Sequence, residues 1–255
     1  MNLVFASGFL VPQDILGIDY FAGLQAHIAG AGLHDAVFPV VPPLATCEVR
    51  AGVLADAIQT AFPNGEVHII AHSMGGLDSR TLIAGNLHGL SDPGRIASLT
   101  TLSTPHRGSP IADLLAGPRP EGLERVLYDG ITHAISLLGV DTGALANLTT
   151  AAAQQVPDAA QICPHIRYRS YFASGRPGVL PTAFILAPTH HYIYTITGQN
   201  NDGVVALNSA QYGEFQQPSW RCDHVDMIGH NLDPLNPMGF NFDHLAAFDT
   251  IIDSL

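Results

Sequence analysis

The chain has 255 residues, 47% of them hydrophobic and 13% charged, enough apolar content for a sizeable core and too much for a disordered polypeptide. Acidic residues outnumber basic ones by 22 to 10, every basic one is Arg, and the net charge of −12 repels phosphate backbones and argues against nucleic-acid binding. No run reaches the roughly 18 apolar residues of a membrane span. Met1 to Ala6 lacks the basic region and cleavage site of a signal peptide. Three cysteines, Cys47, Cys163 and Cys222, allow at most one disulfide and form no C-x-x-C pair, so a thiolate metal site is not expected.

In chain order, Leu3 to Ala6 reads as a short buried strand that enters a tight loop at Ser7-Gly8. Ala36 to Val41 reads as a second strand, stopped by Pro42-Pro43. A helix begins after Thr46, an N-cap with Glu48 in the first turn, and ends at Asn64-Gly65. Val49, Val53, Ala57 and Ala61, with Leu54, Ile58 and Phe62 alongside, mark its buried face. Glu66 to Ala71 is the next strand, followed by a turn and a helix carrying Leu77, Leu82 and Ile83, then a strand from Ser98 to Leu102. This alternation predicts an α/β fold with a mostly parallel, doubly wound sheet.

From about Ile111 to His165 the pattern changes to short helical stretches, Leu123 to Leu138 and Ala144 to Gln155, broken by Gly and Pro. This segment reads as an insertion above the sheet. Strands are expected again at Tyr168 to Ala173 and Tyr192 to Thr197, and a last helix at Phe242 to Leu255. One domain spanning residues 1–255 accommodates all of these elements.

The chemistry concentrates at Ala71-His72-Ser73-Met74-Gly75, between a strand and a helix. A serine hydroxyl needs a sharp, exposed turn and an adjacent base to act as a nucleophile, and small residues two before and two after it let the turn close. An acid and a histidine follow such a serine in that order. Asp202, in Asn201-Asp202-Gly203-Val204-Val205, is the candidate acid at the end of the expected strand. His224, 22 residues on, is the candidate base, with His230 and His244 as rivals. Two backbone amides must face the developing oxyanion. Met74, next to the serine, supplies one, and Phe9, after Gly8, the other. No H-E-x-x-H spacing points to metal-dependent hydrolysis.

These segments resemble the bacterial triacylglycerol lipase family of the α/β-hydrolase superfamily. The likeness lies in Ala71 to Arg80 (the nucleophile segment), Ser103-Thr104-Pro105-His106-Arg107-Gly108-Ser109, Asn201 to Val205, and His224-Val225-Asp226. Ala144 to Thr150 resembles part of that family's lid. The resemblance implies an α/β-hydrolase fold with a helical lid at about residues 111–165, a Ser73–Asp202–His224 triad, and Phe9 and Met74 as oxyanion donors. It also implies a secreted enzyme acting on hydrophobic esters, including those at a lipid–water interface.

The chain departs from the family in three places. The opening H-G-L is Ser7-Gly8-Phe9, and a disulfide partner falls at Asn208. The chemistry requires no cofactor. For the structural calcium that many members hold, Asp226 matches one ligand while the other Asp falls at Leu180. One carboxylate with carbonyls holds a hard cation weakly. Leu114, Leu115, Val126, Leu127, Ile131, Leu137, Leu138 and Val140 would form an acyl-binding lid or else a packed extension of the core. Transfer of the acyl group to an alcohol, cleavage of polyesters or thioesters, and a non-catalytic binding protein on the same scaffold are the competing expectations.

Overall fold

The computed structural model describes residues 1–9, 19–32, 34–137, 142–175, 186–231 and 242–255, without the side chains of residues 123, 134–137 and 142–144. Among the described residues six strands, β1 (Asn2–Ala6), β2 (Asp35–Val37), β3 (Val67–His72), β4 (Ile96–Leu102), β5 (Arg167–Tyr171) and β6 (Glu214–Phe215), form one sheet in the order β2-β1-β3-β4-β5-β6. Every pairing is parallel. All strand C-termini therefore open on one edge, where α/β folds build their sites.

Alternation along the strands sorts the core into two layers. Val4, Ala6, Ile69 and Ala71 face the helices α2 (Cys47–Ala61) and α3 (Gly75–Ala84), meeting Leu54, Ile58, Leu82 and Ile83. Leu3, Phe5 and Ile70 face the other way, onto α1 (Leu24–Ala31) and the last helix, and meet Leu24, Ile28, Phe248 and Ile251. Each such side chain contributes about 1.5–3 kcal/mol by leaving water. The sheet is doubly wound, as its sequence alternation implies, because successive residues of a strand must each find an apolar layer.

The insertion contains helices only, among the described residues: α4 (Pro110–Ala116), α5 (Gly122–Leu137), α6 (Thr150–Ala153) and α7 (Ala159–Ile162). The second expected helical stretch is largely a 3-10 turn, Thr142–Leu148. The outgoing and returning feet of the insertion are tied together. Asp113 accepts from Thr150 N at 2.8 Å and from Thr150 Oγ1 at 2.6 Å, and Ser109 N donates to Leu148 O at 2.9 Å.

Four expectations need correction. Tyr192 to Thr197 is not a strand but the end of α8 (Ala187–Thr197), with Pro188 in its first turn and Gly198 in the left-handed region as C-cap. Its tyrosines and β-branched residues favour strands locally. Burial of Thr189, His190 and Ile193 at helical spacing overrides that preference, and Thr195 and Thr197 donate to carbonyls four residues back. Asp202 consequently follows a helix and a turn, not a strand.

The second correction concerns β2, which stops at Val37, before Pro39, whose ring removes a ladder donor. Third, the buried face of α2 is Cys47, Arg50, Ala51, Leu54, Ala55 and Ile58, whereas Val49 lies exposed. The face is rotated because Arg50 turns inward to an acidic partner. Fourth, Asn64-Gly65 does not end α2, which is capped at Phe62. Beyond the segments anticipated, α1, α9 (Leu207–Ala210) and the two-residue β6 complete the layers, and α10 spans His244–Asp253 with Asp243 capping Ala246 N at 3.0 Å.

Candidate active site

Ser73 sits where β3 turns into α3, with φ at 54°, a left-handed conformation that costs a non-glycine residue about 1–3 kcal/mol. Two main-chain bonds hold it there. Ser73 N donates to Leu102 O at 2.9 Å and Gly76 N donates to Ser73 O at 3.1 Å. The turn needs its small neighbours. A Cβ at Gly75 would lie 2.8 Å from Ser7 O, and one at Gly8 would lie 2.7 Å from Ser73 Cβ. The loop after β1 thus packs directly on the serine.

Phe9 follows Gly8 in that loop, and Met74 follows the serine at the N-terminus of α3. Neither amide donates to an acceptor among the described residues. Two unspent donors beside a serine at a helix N-terminus suit a developing negative charge.

Asp202 is fully buried. Its Oδ1 accepts from Val204 N at 2.9 Å and Val205 N at 2.7 Å, while Oδ2 lies 2.8 Å from His224 Nδ1. His224 N also donates to Asp202 O at 3.0 Å. Because a carboxylate only accepts, the network assigns the proton to Nδ1 and leaves Nε2 as the basic atom. His224 and Ser73 are brought to the same place through His72, whose ring centroid is 4.6 Å from that of His224. No hydrogen bond within 3.5 Å joins Ser73 Oγ to His224 Nε2 among the described residues, and contacts of this kind tighten when substrate binds. The rival histidines serve the main chain instead. His230 Nε2 donates to Tyr20 O at 3.0 Å and His244 Nε2 to Ala22 O at 2.7 Å.

Three supporting interactions lay beyond the sequence reasoning. Arg50, fully buried, donates from Nη2 to Ser7 O at 2.8 Å and Gly8 O at 3.2 Å, from Nη1 to Pro42 O at 3.0 Å, and from Nε to Asp78 Oδ2 at 2.8 Å. The Gly8 carbonyl shares a peptide plane with the Phe9 amide, so anchoring one face of that plane aims the other. Burial pushes the Asp78 carboxyl up to about 7, against the pull of Arg50. Burial, with Asp78 adding to it, also raises the Cys47 thiol.

The segment Ser103 to Ser109 holds the acid loop, since His106 N donates to Ser209 O at 3.0 Å, Ser109 Oγ to Val204 O at 2.6 Å and Arg107 Nη1 to Gln211 O at 2.8 Å. Tyr20 and His72 form the third. Arg50 shares helical spacing with Leu54 and Ile58, but nothing in the sequence distinguishes it from a solvated charge.

Of the side-chain calcium ligands that the resemblance implies, the described residues include Asp226. Asp226 accepts from Asp223 N at 3.2 Å and lines a cavity of about 280 Å³ with Gly229, Asn231, Phe242 and His244. These side chains offer one carboxylate and one amide oxygen, so a cation that takes roughly six to eight oxygens would draw the rest from main-chain carbonyls and water. No group of three or more His, Cys, Asp or Glu side chains is placed to hold a metal among the described residues. Leu180, the other expected ligand position, lies outside the described residues, as do the lid candidates Leu138 and Val140. Cys47, Cys163 and Cys222 are all free and buried.

Phe9, Met74 and Leu77 pack with Leu115, Leu145 and Leu148 of the insertion in one apolar cluster. Leu114 is also buried, and Leu127 and Ile131 are half-buried, whereas Val126 on α5 is 71% exposed.

No family model matches the chain. It is 35% identical over 225 residues to a triacylglycerol lipase of Pseudarthrobacter phenanthrenivorans, covering 66% of this chain and 67% of that protein. It is 29% identical over 223 residues to triacylglycerol lipase 2 of Saccharomyces cerevisiae, covering 84% of this chain and 64% of that protein's length. Among solved structures, Staphylococcus hyicus lipase superposes with a TM-score of 0.69 at 20% identity, covering 99% of this chain and 94% of that one. That structural likeness shows the fold.

Proposed function

The chain belongs to the bacterial triacylglycerol lipase family of the α/β-hydrolase superfamily, a family of carboxylic ester hydrolases, and from this premise we propose that it cleaves hydrophobic acyl esters through a Ser73 acyl-enzyme. Ser73 Oγ attacks the ester carbonyl while its proton passes to His224 Nε2. Asp202 holds the Nδ1–H tautomer and stabilises the imidazolium. The Phe9 and Met74 amides receive the oxyanion. His224 then protonates the departing alcohol. Water, deprotonated by His224, attacks the acyl-serine, and the carboxylic acid leaves with Ser73 restored.

The observation that supports this reading most is the fully buried Asp202 carboxylate bonded to His224 Nδ1 beside a serine in left-handed conformation. Without a catalytic demand, a buried carboxylate–imidazole pair and a strained serine are both costs to folding. The apolar cluster that Phe9 and Met74 share with the insertion supports a hydrophobic acyl group, and the insertion, tied at its feet and carrying the amphipathic α5, is assigned the part of a lid. Among the described residues no helix is long and apolar enough to cross a membrane, so contact with lipid would be made from the surface.

Hydrolysis of p-nitrophenyl butyrate and p-nitrophenyl palmitate by the wild-type protein tests the reading. Turnover of both is expected, with release of the free acid. Failure on both esters, together with failure to label with a fluorophosphonate, would contradict it.

A further inference from the structure

His72 precedes the nucleophile, and the chemistry above gives it no role. It is nevertheless bonded on both ring nitrogens inside the protein, with only 1% of its surface exposed. Nε2 lies 3.0 Å from the His224 carbonyl oxygen, and Nδ1 lies 2.8 Å from the Tyr20 hydroxyl. A carbonyl only accepts, so the network places the ring proton on Nε2 and makes Nδ1 the acceptor of the Tyr20 O–H. Burial pushes the Tyr20 phenol up, which keeps it a donor. Burial, and next the nearby His224, hold the His72 imidazole well below its ordinary range, so it stays neutral with a single fixed tautomer.

The chain of contacts joins three separate parts of the site. Tyr20 also lies against Gly8, where a Cβ would come within 2.6 Å of its hydroxyl. His72 belongs to the nucleophile turn, and the carbonyl it binds is that of His224. The Tyr20 segment is further fastened to the histidine loop, because Ala22 N donates to Ile228 O at 2.9 Å and His230 Nε2 to Tyr20 O at 3.0 Å.

We propose that Tyr20 and His72 form a buried strut that fixes the His224 main chain relative to the Ser73 turn and the Gly8 loop, making both positioning residues for the ester chemistry. The inference rests on the serine-hydrolase reading and adds residues to it. A strut of this kind sets the approach of His224 Nε2 to Ser73 Oγ, and misplacement of a reacting group by about 1 Å can cost roughly 100-fold in rate. Its ends are a tyrosine hydroxyl and a backbone carbonyl, so it works through direction and distance without touching substrate.

The test compares His72→Leu, His72→Gln and Tyr20→Phe with wild type, reading the rate of Ser73 labelling by a fluorophosphonate, kcat and KM on p-nitrophenyl butyrate, and Tm. His72→Leu removes both bonds and is expected to slow labelling and kcat by about 10- to 100-fold with KM within about threefold. His72→Gln keeps one donor and one acceptor at similar spacing and is expected to recover most of that loss. A folded His72→Leu protein that labels and turns over at the wild-type rate overturns the strut, as does a Gln variant that falls as far as Leu. Should His72→Leu fail to fold, Tyr20→Phe decides: a several-fold slower labelling supports the strut and an unchanged rate overturns it. Ser73→Ala separates the two levels. Labelling that persists in Ser73→Ala, or a wild type that never labels, overturns the hydrolase reading and the strut with it.

Discussion

His224 Nδ1 lies 2.8 Å from Asp202 Oδ2, and the other oxygen of the same carboxylate is saturated by the Val204 and Val205 amides. The acid is therefore rigidly aimed, with no rotamer freedom left to lose when the imidazolium forms.

Asp202→Asn keeps this geometry while presenting an amide that can donate to the ring and select the wrong tautomer. A fall in kcat of about 10³- to 10⁴-fold with little change in KM is expected, read by steady-state kinetics on a soluble ester. A KM effect with intact kcat would assign Asp202 to substrate binding instead.

The Arg50–Asp78 pair should be felt first in stability. Arg50→Met leaves Asp78 buried without its partner, a change that typically costs about 3–5 kcal/mol. At about 2–4 °C per kcal/mol for a domain of this size, the Tm should drop by roughly 6–20 °C. The surviving folded protein should also lose kcat, because the Ser7 and Gly8 carbonyls are no longer anchored. A variant with wild-type Tm would show that the pair is dispensable.

Asp78 also gives stability a pH dependence. Its folded pKa, about 7, lies above the ordinary 3.8, so the native state holds this proton more tightly than the unfolded chain does. The contribution is fully present below pH 3.8 and is lost as pH rises through about 7. Measured as Tm against pH, wild type should lose ground to Asp78→Asn between those limits. Parallel curves would contradict the assignment.

The insertion bears on substrate range. Val126 stands 71% exposed on α5, whereas Tyr128 and Ile131 of the same helix pack against the apolar cluster. Val126→Asp should lower the ratio of palmitate to butyrate ester turnover several-fold when the long ester is presented as an emulsion. An unchanged ratio would leave α5 as an extension of the core.

Much of this site is legible in the sequence because its chemistry is local. Ala71, Ser73 and Gly75 specify a turn whose backbone admits little else, and Asn201-Asp202-Gly203 specifies a loop that wraps its own carboxylate. The alternation that placed β1, β3 and β4 is equally local. What stayed hidden depends on tertiary partners. Tyr192 to Thr197 has the composition of a strand and becomes a helix because Thr189, His190 and Ile193 are buried on one side. Arg50 looks like a solvated charge until Asp78 and two loop carbonyls, 28 and about 42 residues away, are brought to it. The His72 bonds to Tyr20 and to the His224 carbonyl span 52 and 152 residues, and no periodicity carries that information.

The central claim is that Ser73 is the nucleophile, and the most direct measurement is hydrolysis of p-nitrophenyl butyrate by wild type and Ser73→Ala at matched concentration. A loss of at least ~10³-fold in kcat, with the folded state retained by circular dichroism, is the predicted result. Turnover within a few-fold of wild type in Ser73→Ala would contradict it and move the chemistry to another group.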